Sequence, residues 1–259
     1  MGIVLNEYEW AERMIESREL GAKPVETLTR ISKYYFENQY SKKEVRVMLD
    51  KFLIQCDPSV ALARWSDTLD KITKSAAKYP LVKLDGVVVS YRELQRIEAL
   101  EGMQIRRLAF TLLCVSKYWD AVSSRNNHWV NSSDVEIMRM ANIGTSVKRQ
   151  SAMFGQLRAN GLIRFSKKID NLNVQVLFSD SNIPEPEVAI HIRDFRNIGF
   201  QYLKHYGGPY FECENCGVVT KIADPNKGRK PKYCAGCAAE VKTRQNVNSV
   251  MRHRNLLKS

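Results

Sequence analysis

The sequence predicts a mainly α-helical chain with small β elements. Through residues 1–80 the apolar residues recur mostly at three- and four-residue steps, which is the spacing of a helix with one buried face. A serine followed three residues later by glutamate, the capping-box pattern that starts helices, occurs at Ser41, Ser90 and Ser133. Runs rich in β-branched residues are short, as at 82–89 and 174–178, so the strands should be few and small.

Length and composition indicate the class of protein. A chain of 259 residues, 44% of them hydrophobic, can form one large domain or two to three small ones. The longest apolar stretches, such as 108–115, are much shorter than the roughly 20 residues that span a bilayer. The first residues lack the basic and then apolar leader of an exported protein. We therefore expect a cytoplasmic protein that does not contact a membrane.

A helical N-terminal region is expected to cover residues 1–101. Ser41 with Glu44 should start one of its helices, and Asp57-Pro58 marks a break before the next. After Tyr79-Pro80 the β-branched run 82–89 predicts a strand. The helix that Ser90 starts should then end at Gly102, because glycine is a common helix terminator.

Residues 102–182 contain a different order of elements. A dense apolar helix from about 105 to 122 precedes a short strand at 128–131, a short helix that starts after Ser133, a turn at 142–145 and a longer helix from Ser146 to Ala159. Two β-rich runs, 162–166 and 174–178, then flank the segment 167–173. This order of helix, turn, helix and β-hairpin resembles a winged helix-turn-helix domain.

The winged-helix resemblance implies which residues would contact DNA. The helix from Ser146 would be the recognition helix, with its N-terminal part in the major groove, and 167–173 would be the wing. The apolar face of that helix, with Val147, Phe154 and Leu157, would pack inward. The implied DNA contacts are Lys148, Arg149, Gln150, Arg164, Lys167 and Lys168. Because winged helices also dock on proteins, that alternative stays open.

Residues 183–209 are expected to form a linker. Pro184-Glu185-Pro186 interrupts regular structure, and Gly207-Gly208-Pro209 does so again. Between them, apolar residues at helical spacing predict an amphipathic helix over 192–206, with the apolar residues Phe195, Ile198, Phe200 and Leu203.

The cysteines of residues 210–259 give the most specific signal. Cys213 and Cys216 form one C-x2-C pair, and seventeen residues later Cys234 and Cys237 form another. This spacing is typical of a structural site in which four thiolates surround one zinc ion. With short β-rich segments beside both pairs, residues 210–240 resemble a zinc ribbon. Redox motifs or disulfides fit less well, because no βαβ pattern adjoins the cysteines and the cytoplasm is reducing.

Positive charge is concentrated in the same part of the chain. Residues 201–259 carry +7 of the net +12, from 11 Lys and Arg against 4 Asp and Glu. This concentration predicts a polyanionic partner such as nucleic acid. The candidate phosphate contacts in the loop between the cysteine pairs and in the helix expected after them are Lys227, Arg229, Lys230, Lys232, Lys242, Arg244, Arg252 and Arg254. An acidic protein surface, or a basic face that is simply solvated, is the alternative.

These features favour a binding protein over an enzyme. The sequence has no Walker-type, G-x-S-x-G or H-E-x2-H motif, so we predict no catalytic residue. The whole chain is similar to uncharacterised proteins of phages and mobile elements of Gram-positive bacteria. That similarity is strongest around Phe110-Thr111-Leu112-Leu113, Trp129-Val130-Asn131 and Lys232-Tyr233-Cys234.

The predicted function is that of a zinc-containing nucleic-acid-binding protein of phage or mobile-element type, acting as a DNA-binding regulator. The alternative is an inhibitor or adaptor that binds a host protein or ribonucleoprotein that processes nucleic acid, such as a defence nuclease or a polymerase. The sequence leaves the oligomeric state open, since it contains no heptad repeat that specifies one.

Overall fold

The computed structural model describes residues 2–167, 173–224 and 230–256, with side chains in the last helix described as far as Val247. The chain is mainly helical with small sheets, as predicted. It forms two compact units, Met1–Asp85 and Gly86–Ser259. The boundary lies earlier in the chain than 101/102, where the sequence suggested a division.

The first unit consists, over residues 2–85, of four helices, and two of them start at a residue whose side chain caps the first turn. The helices are α1 (Glu7–Ser17), α2 (Pro24–Glu37), α3 (Lys42–Cys56) and α4 (Leu62–Ala76). The Asn6 side chain accepts hydrogen bonds from the first turn of α1, and Ser41 with Glu44 forms the predicted capping box of α3. The core includes Leu28, Leu49 and Leu69, all fully buried.

The second unit is built around one long buried helix. Its first part contains β1 (Val87–Ser90), α5 (Tyr91–Glu98), α6 (Met103–Val122), β2 (Trp129–Val130), α7 (Asp134–Met140), α8 (Val147–Ala159), β3 (Ile163–Phe165) and β4 (Val174–Val176). Residues 108–118 of α6 are buried on all sides. A helix that is apolar all round is stable only inside a core, so α6 lies at the centre of the unit, as its composition predicted.

The second part of this unit carries the cysteines. It contains a 3₁₀ turn (Glu185–Glu187), β5 (Val188–Ile192), α9 (Ile198–His205), β6 (Tyr210–Glu212), β7 (Val219–Lys221) and α10 (Ala235–Leu256). No helix in the described part of the chain is both long enough and apolar enough to cross a bilayer.

The prediction of one continuous helix over residues 192–206 is wrong in its first half. Instead of one helix over 192–206, the chain forms β5 and then the shorter α9, and β5 pairs antiparallel with β1 from Val87↔Ile192 to Val89↔Ile190. Asn197 then adopts a left-handed φ of 54° just before α9, which prevents a helix from continuing through it. Gly86 allows the close pairing, because a Cβ there would lie 2.4 Å from the Ile192 carbonyl oxygen.

The helix-ending role assigned to Gly102 is also wrong. Helix α5 ends at Glu98, and Gly102 is instead the residue that precedes α6, with a φ of 91°. Glycine tolerates this φ without steric cost, so Gly102 allows the chain to turn between α5 and α6.

Residues 129–176 form a small sheet with two helices joined by a turn. The strand order is β2-β4-β3, with Trp129↔Gln175 and Arg164↔Gln175 in register, and both pairings are antiparallel. Ser133 and Glu136 form the predicted capping box of α7. Helix α8 buries Met153, Phe154 and Leu157, but Val147 is 76% exposed and does not pack inward as predicted. The first turn of α8 extends beyond the core, whose contacts begin only at Met153.

Candidate metal centre

The two cysteine pairs converge on one point. Cys213 and Cys216 lie in the turn between β6 and β7, Cys234 directly precedes α10, and Cys237 lies in the first turn of α10. The four sulfur atoms all lie within 4.8 Å of one another. Cys213 and Cys237 are buried, whereas Cys216 and Cys234 are half-buried.

A tight backbone turn places the first pair. Strands β6 and β7 pair antiparallel from Tyr210↔Lys221 to Glu212↔Val219. The amide of Cys213 donates to the Val218 carbonyl at 3.0 Å, and the amide of Gly217 donates to the Cys213 carbonyl at 2.9 Å. Gly217 has a φ of 71°, which glycine adopts readily, so the turn can close with both sulfurs on the same side.

The second pair uses helical spacing. The amide of Ala238 donates to the Cys234 carbonyl at 2.9 Å, so Cys234 and Cys237 stand one turn apart at the start of α10. The amide of Glu214 donates to the Lys232 carbonyl at 2.9 Å and joins the two cysteine segments directly. Tyr233 packs beside the cluster.

The geometry fits a tetrahedral metal ion. Four sulfurs about 2.3 Å from one zinc ion would be about 3.8 Å apart, and the Cys216 and Cys234 sulfurs are 3.8 Å apart. That distance is well above the about 2.05 Å of a disulfide bond. The four cysteines could therefore bind one metal ion, as their spacing predicted.

Hydrogen bonds favour the thiolate form of Cys213. Burial opposes ionisation of Cys213, but backbone amides of Cys234, Cys216 and Asn215 donate to its sulfur and lower its pKa to about 6. The Asn215 side-chain Nδ2 donates to the Cys237 sulfur at 3.3 Å. At Cys237 the Asn215 hydrogen bond acts in the same direction, but the Cys216, Cys234 and Cys213 side chains and burial outweigh it and raise the pKa of the Cys237 thiol to about 12. Asn215 is a supporting residue that the cysteine spacing could not reveal, since its role depends on the folded turn.

Helix α9 holds the β6–β7 hairpin against the rest of the second unit. The Asn197 side chain donates to the Val219 carbonyl at 3.1 Å, and Arg196 Nη2 donates to the Cys216 carbonyl at 2.6 Å. The rings of Phe200 and Tyr210 lie 4.9 Å apart. The candidate metal centre is thus part of the packed unit and not an appended loop.

The residues predicted to contact DNA lie mostly at the surface of α8 and β3. Lys148, Arg149 and Lys167 are exposed. Arg164 is also exposed, and its Nε donates to the buried Gln175 side chain. Gln150 is half-buried, and its side-chain amide donates back to the Thr145 carbonyl at 3.4 Å.

The sequence reasoning missed one cation on this surface. Arg158 is exposed on α8, and its guanidinium lies 5.9 Å from the centre of the Phe165 ring. The signal was present in the sequence, because residues 141–169 contain six Lys and Arg and no Asp or Glu. A count over the broader range 131–200, with nine Lys and Arg against seven Asp and Glu, hides this acid-free segment.

The predicted contacts near the cysteines are only partly described. Lys230 and Lys232 are exposed, and Lys232 lies 3.4 Å from Glu214. Lys242 and Arg244 are exposed on α10. The predicted contacts outside the described residues or side chains are Lys168, Lys227, Arg229, Arg252 and Arg254.

The comparisons with known proteins found no match to a protein-family model, a curated protein or a solved structure.

Proposed function

We propose that the protein is a zinc-containing nucleic-acid-binding protein that binds DNA through a winged helix and regulates a process of phage or mobile-element type. In this proposal α6 to β4 form the winged helix, and the four cysteines form a zinc ribbon. The observation that carries it is the acid-free surface of α8 and β3, where Lys148, Arg149 and Arg158 are exposed.

The order of the elements supports the winged-helix part. Helices α7 and α8 are joined by a short turn, and the antiparallel strands β3 and β4 follow α8 in the chain, while β2 precedes α7 and completes their sheet. The first turn of α8 extends beyond the core, as a helix must if its start is to enter a groove. The Ser146 side chain caps the Arg149 amide at this helix start. The positive end of the helix dipole there also favours an anionic partner, which reinforces the charges of Lys148 and Arg149.

The cysteine chemistry supports zinc as the metal. Four thiolates at tetrahedral spacing form the usual structural zinc site, and all four positions are filled by protein. Thiolates are soft ligands, so they bind zinc or iron–sulfur clusters in preference to magnesium or calcium ions. The ion would hold the hairpin and the start of α10 together and would offer no position for a reacting water.

The test is DNA binding at several salt concentrations by fluorescence anisotropy. We expect binding to duplex DNA that weakens steeply with salt, and a clear loss of affinity in Lys148→Ala/Arg149→Ala. The matched control is Lys42→Ala/Lys43→Ala, which removes two exposed cations from the first turn of α3. Equal affinity of the two double variants would exclude α8 as the DNA-binding element.

One observation favours the alternative function of binding a host protein. Val135 and Val147, at the starts of α7 and α8, are 75% and 76% exposed. Exposed apolar side chains are more typical of a protein-docking surface than of a purely phosphate-binding one. A stoichiometric protein partner that survives nuclease treatment and is lost in Val135→Ser/Val147→Ser would support the inhibitor or adaptor function.

A further inference from the structure

We propose that α10 is a second DNA-binding element, a helix that lies in the major groove and forms only when the cysteines hold a metal ion. This inference rests on the proposed nucleic-acid-binding function and adds a second, metal-dependent surface to it.

Over its described side chains, which end at Val247, helix α10 packs very little against the protein. It is 22 residues long, which corresponds to about 33 Å. From Ala238 to Val247 every side chain is exposed except Val241, which is half-buried. A helix with so little packing is only marginally stable in water, because most helical stability in proteins comes from burying an amphipathic face.

A metal ion bound at the cysteines would stabilise the first turn of α10, which its own packing does not stabilise. The first helical turn is the costly step, with a nucleation constant of about 10⁻³. A metal ion bound to Cys234 and Cys237 would fix that turn to the β6–β7 hairpin through Cys213 and Cys216. The negative thiolates would also lie at the N-terminal end of α10, where the helix dipole favours negative charge.

The composition of α10 selects a polyanion as its partner. Helix α10 contains four Lys and Arg against one acidic residue, Glu240, and Lys258 follows the helix. Two copies of such a helix would repel each other. A chain of phosphates attracts all of these cations, and each phosphate contact releases counterions.

The positions of the cations favour a groove over a flat surface. Lys242 and Arg244 are both exposed and two residues apart, so they point about 200° apart around the helix axis. A flat acidic protein surface or an anionic membrane could contact only one of these two cations at a time. The major groove of B-form DNA is about 12 Å wide, admits a helix and has phosphates along both walls, so it can meet both.

The first part of the test measures DNA affinity of the full-length, metal-loaded protein. Lys242→Ala and Arg244→Ala should each lower the salt slope of log Kd by about 1, and the double variant by about 2. The control Gln245→Ala/Asn246→Ala changes two exposed neutral residues of the same helix and should leave the slope unchanged. An effect of only one of the two cations would overturn the groove geometry, and an effect of neither would overturn the proposal.

The second part measures helix formation directly. Hydrogen exchange over residues 238–256 should be slow in metal-loaded protein and should become at least tenfold faster after chelation or in Cys234→Ser/Cys237→Ser. Cys56→Ser, which lies far from the cluster in sequence, is the control. Unchanged protection after metal removal would overturn the metal dependence.

The two proposals fail in different ways. If Lys148→Ala/Arg149→Ala leaves binding intact while the α10 variants weaken it, α10 is a DNA-binding element and the function proposed for α8 is wrong. If the reverse holds, the proposal for α10 is wrong.

Discussion

The side chain of Asn142 donates from Nδ2 to Oδ1 of Asn197 at 2.9 Å, and both residues have left-handed backbones, with φ of 56° and 54°. This bond joins the turn before α8 to the segment before α9. Asn197 in turn donates to the Val219 carbonyl of β7. These hydrogen bonds therefore link the turn that precedes the proposed DNA-binding helix to the hairpin that carries two of the candidate metal ligands.

Asn142→Ala should lower the free energy of unfolding of the second unit by about 2 kcal/mol. The Asn142 side chain also accepts a hydrogen bond from the Phe200 amide at 3.2 Å, so the variant loses two bonds and strains a left-handed backbone. Asn142→Gly keeps the backbone unstrained and should be less destabilised than Asn142→Ala. Urea denaturation measures both.

The control is Asn160→Ala, because the exposed Asn160 bonds only locally, to the Gln156 carbonyl. Equal stability of Asn142→Ala and Asn160→Ala would mean that the bond between the two asparagines contributes nothing.

Two helical glycines should respond in opposite directions to substitution by alanine. A Cβ on Gly199 of α9 would lie 2.0 Å from the Ala141 carbonyl oxygen, so Gly199→Ala should force α9 away from the end of α7 and destabilise the protein by about 2–3 kcal/mol. A Cβ on Gly155 of α8 would meet nothing within 4 Å. Gly155→Ala should therefore stabilise the protein by about 0.5–1 kcal/mol, because alanine favours the helix.

Thermal unfolding of the two variants beside wild type measures this difference. A Gly199→Ala protein as stable as Gly155→Ala would show that α7 and α9 do not approach as closely as the structure has them.

Local features of the fold could be predicted from the sequence, and features that depend on distant partners could not. The capping boxes at Ser41, Ser90 and Ser133 involve residues three apart, and the cysteine pairs are equally local. Strand β5 was missed because its partner β1 lies about a hundred residues earlier in the chain. The hydrogen bond between Asn142 and Asn197 could not be predicted either. An asparagine indicates a left-handed turn, but it does not indicate which residue its side chain will contact.

Lys117→Met should destabilise the second unit by about 3–5 kcal/mol. The Glu93 carboxylate is 1% exposed and accepts from Lys117 Nζ at 2.8 Å and from the Asp180 amide at 2.7 Å. Removing the lysine would leave a buried carboxylate without its counter-charge. Denaturant unfolding at neutral pH measures the loss.

The double variant Glu93→Gln/Lys117→Met separates the charge from the packing. Because it removes both charges, it should be more stable than the sum of the two single changes predicts. Strict additivity would show that the two side chains do not interact in solution.

The reactivity of the six cysteines should report metal binding residue by residue. In metal-loaded protein, iodoacetamide should modify only the half-buried Cys56, and slowly, because burial raises the pKa of its thiol. After chelation, Cys213, Cys216, Cys234 and Cys237 should react as well. Cys114 should stay unmodified until the protein unfolds, because burial, with a smaller effect of the nearby Glu93, raises the pKa of its thiol.

Mass spectrometry of the alkylated protein counts the modified thiols, and metal analysis of the same sample gives the ion and its stoichiometry. Cys56→Ser is the control and should show no modification before chelation. Modification of the four clustered cysteines at the same rate with and without chelator would mean that they hold no metal. Because Cys234 and Cys237 also form the start of α10, that result would equally remove the physical basis for a metal-dependent helix.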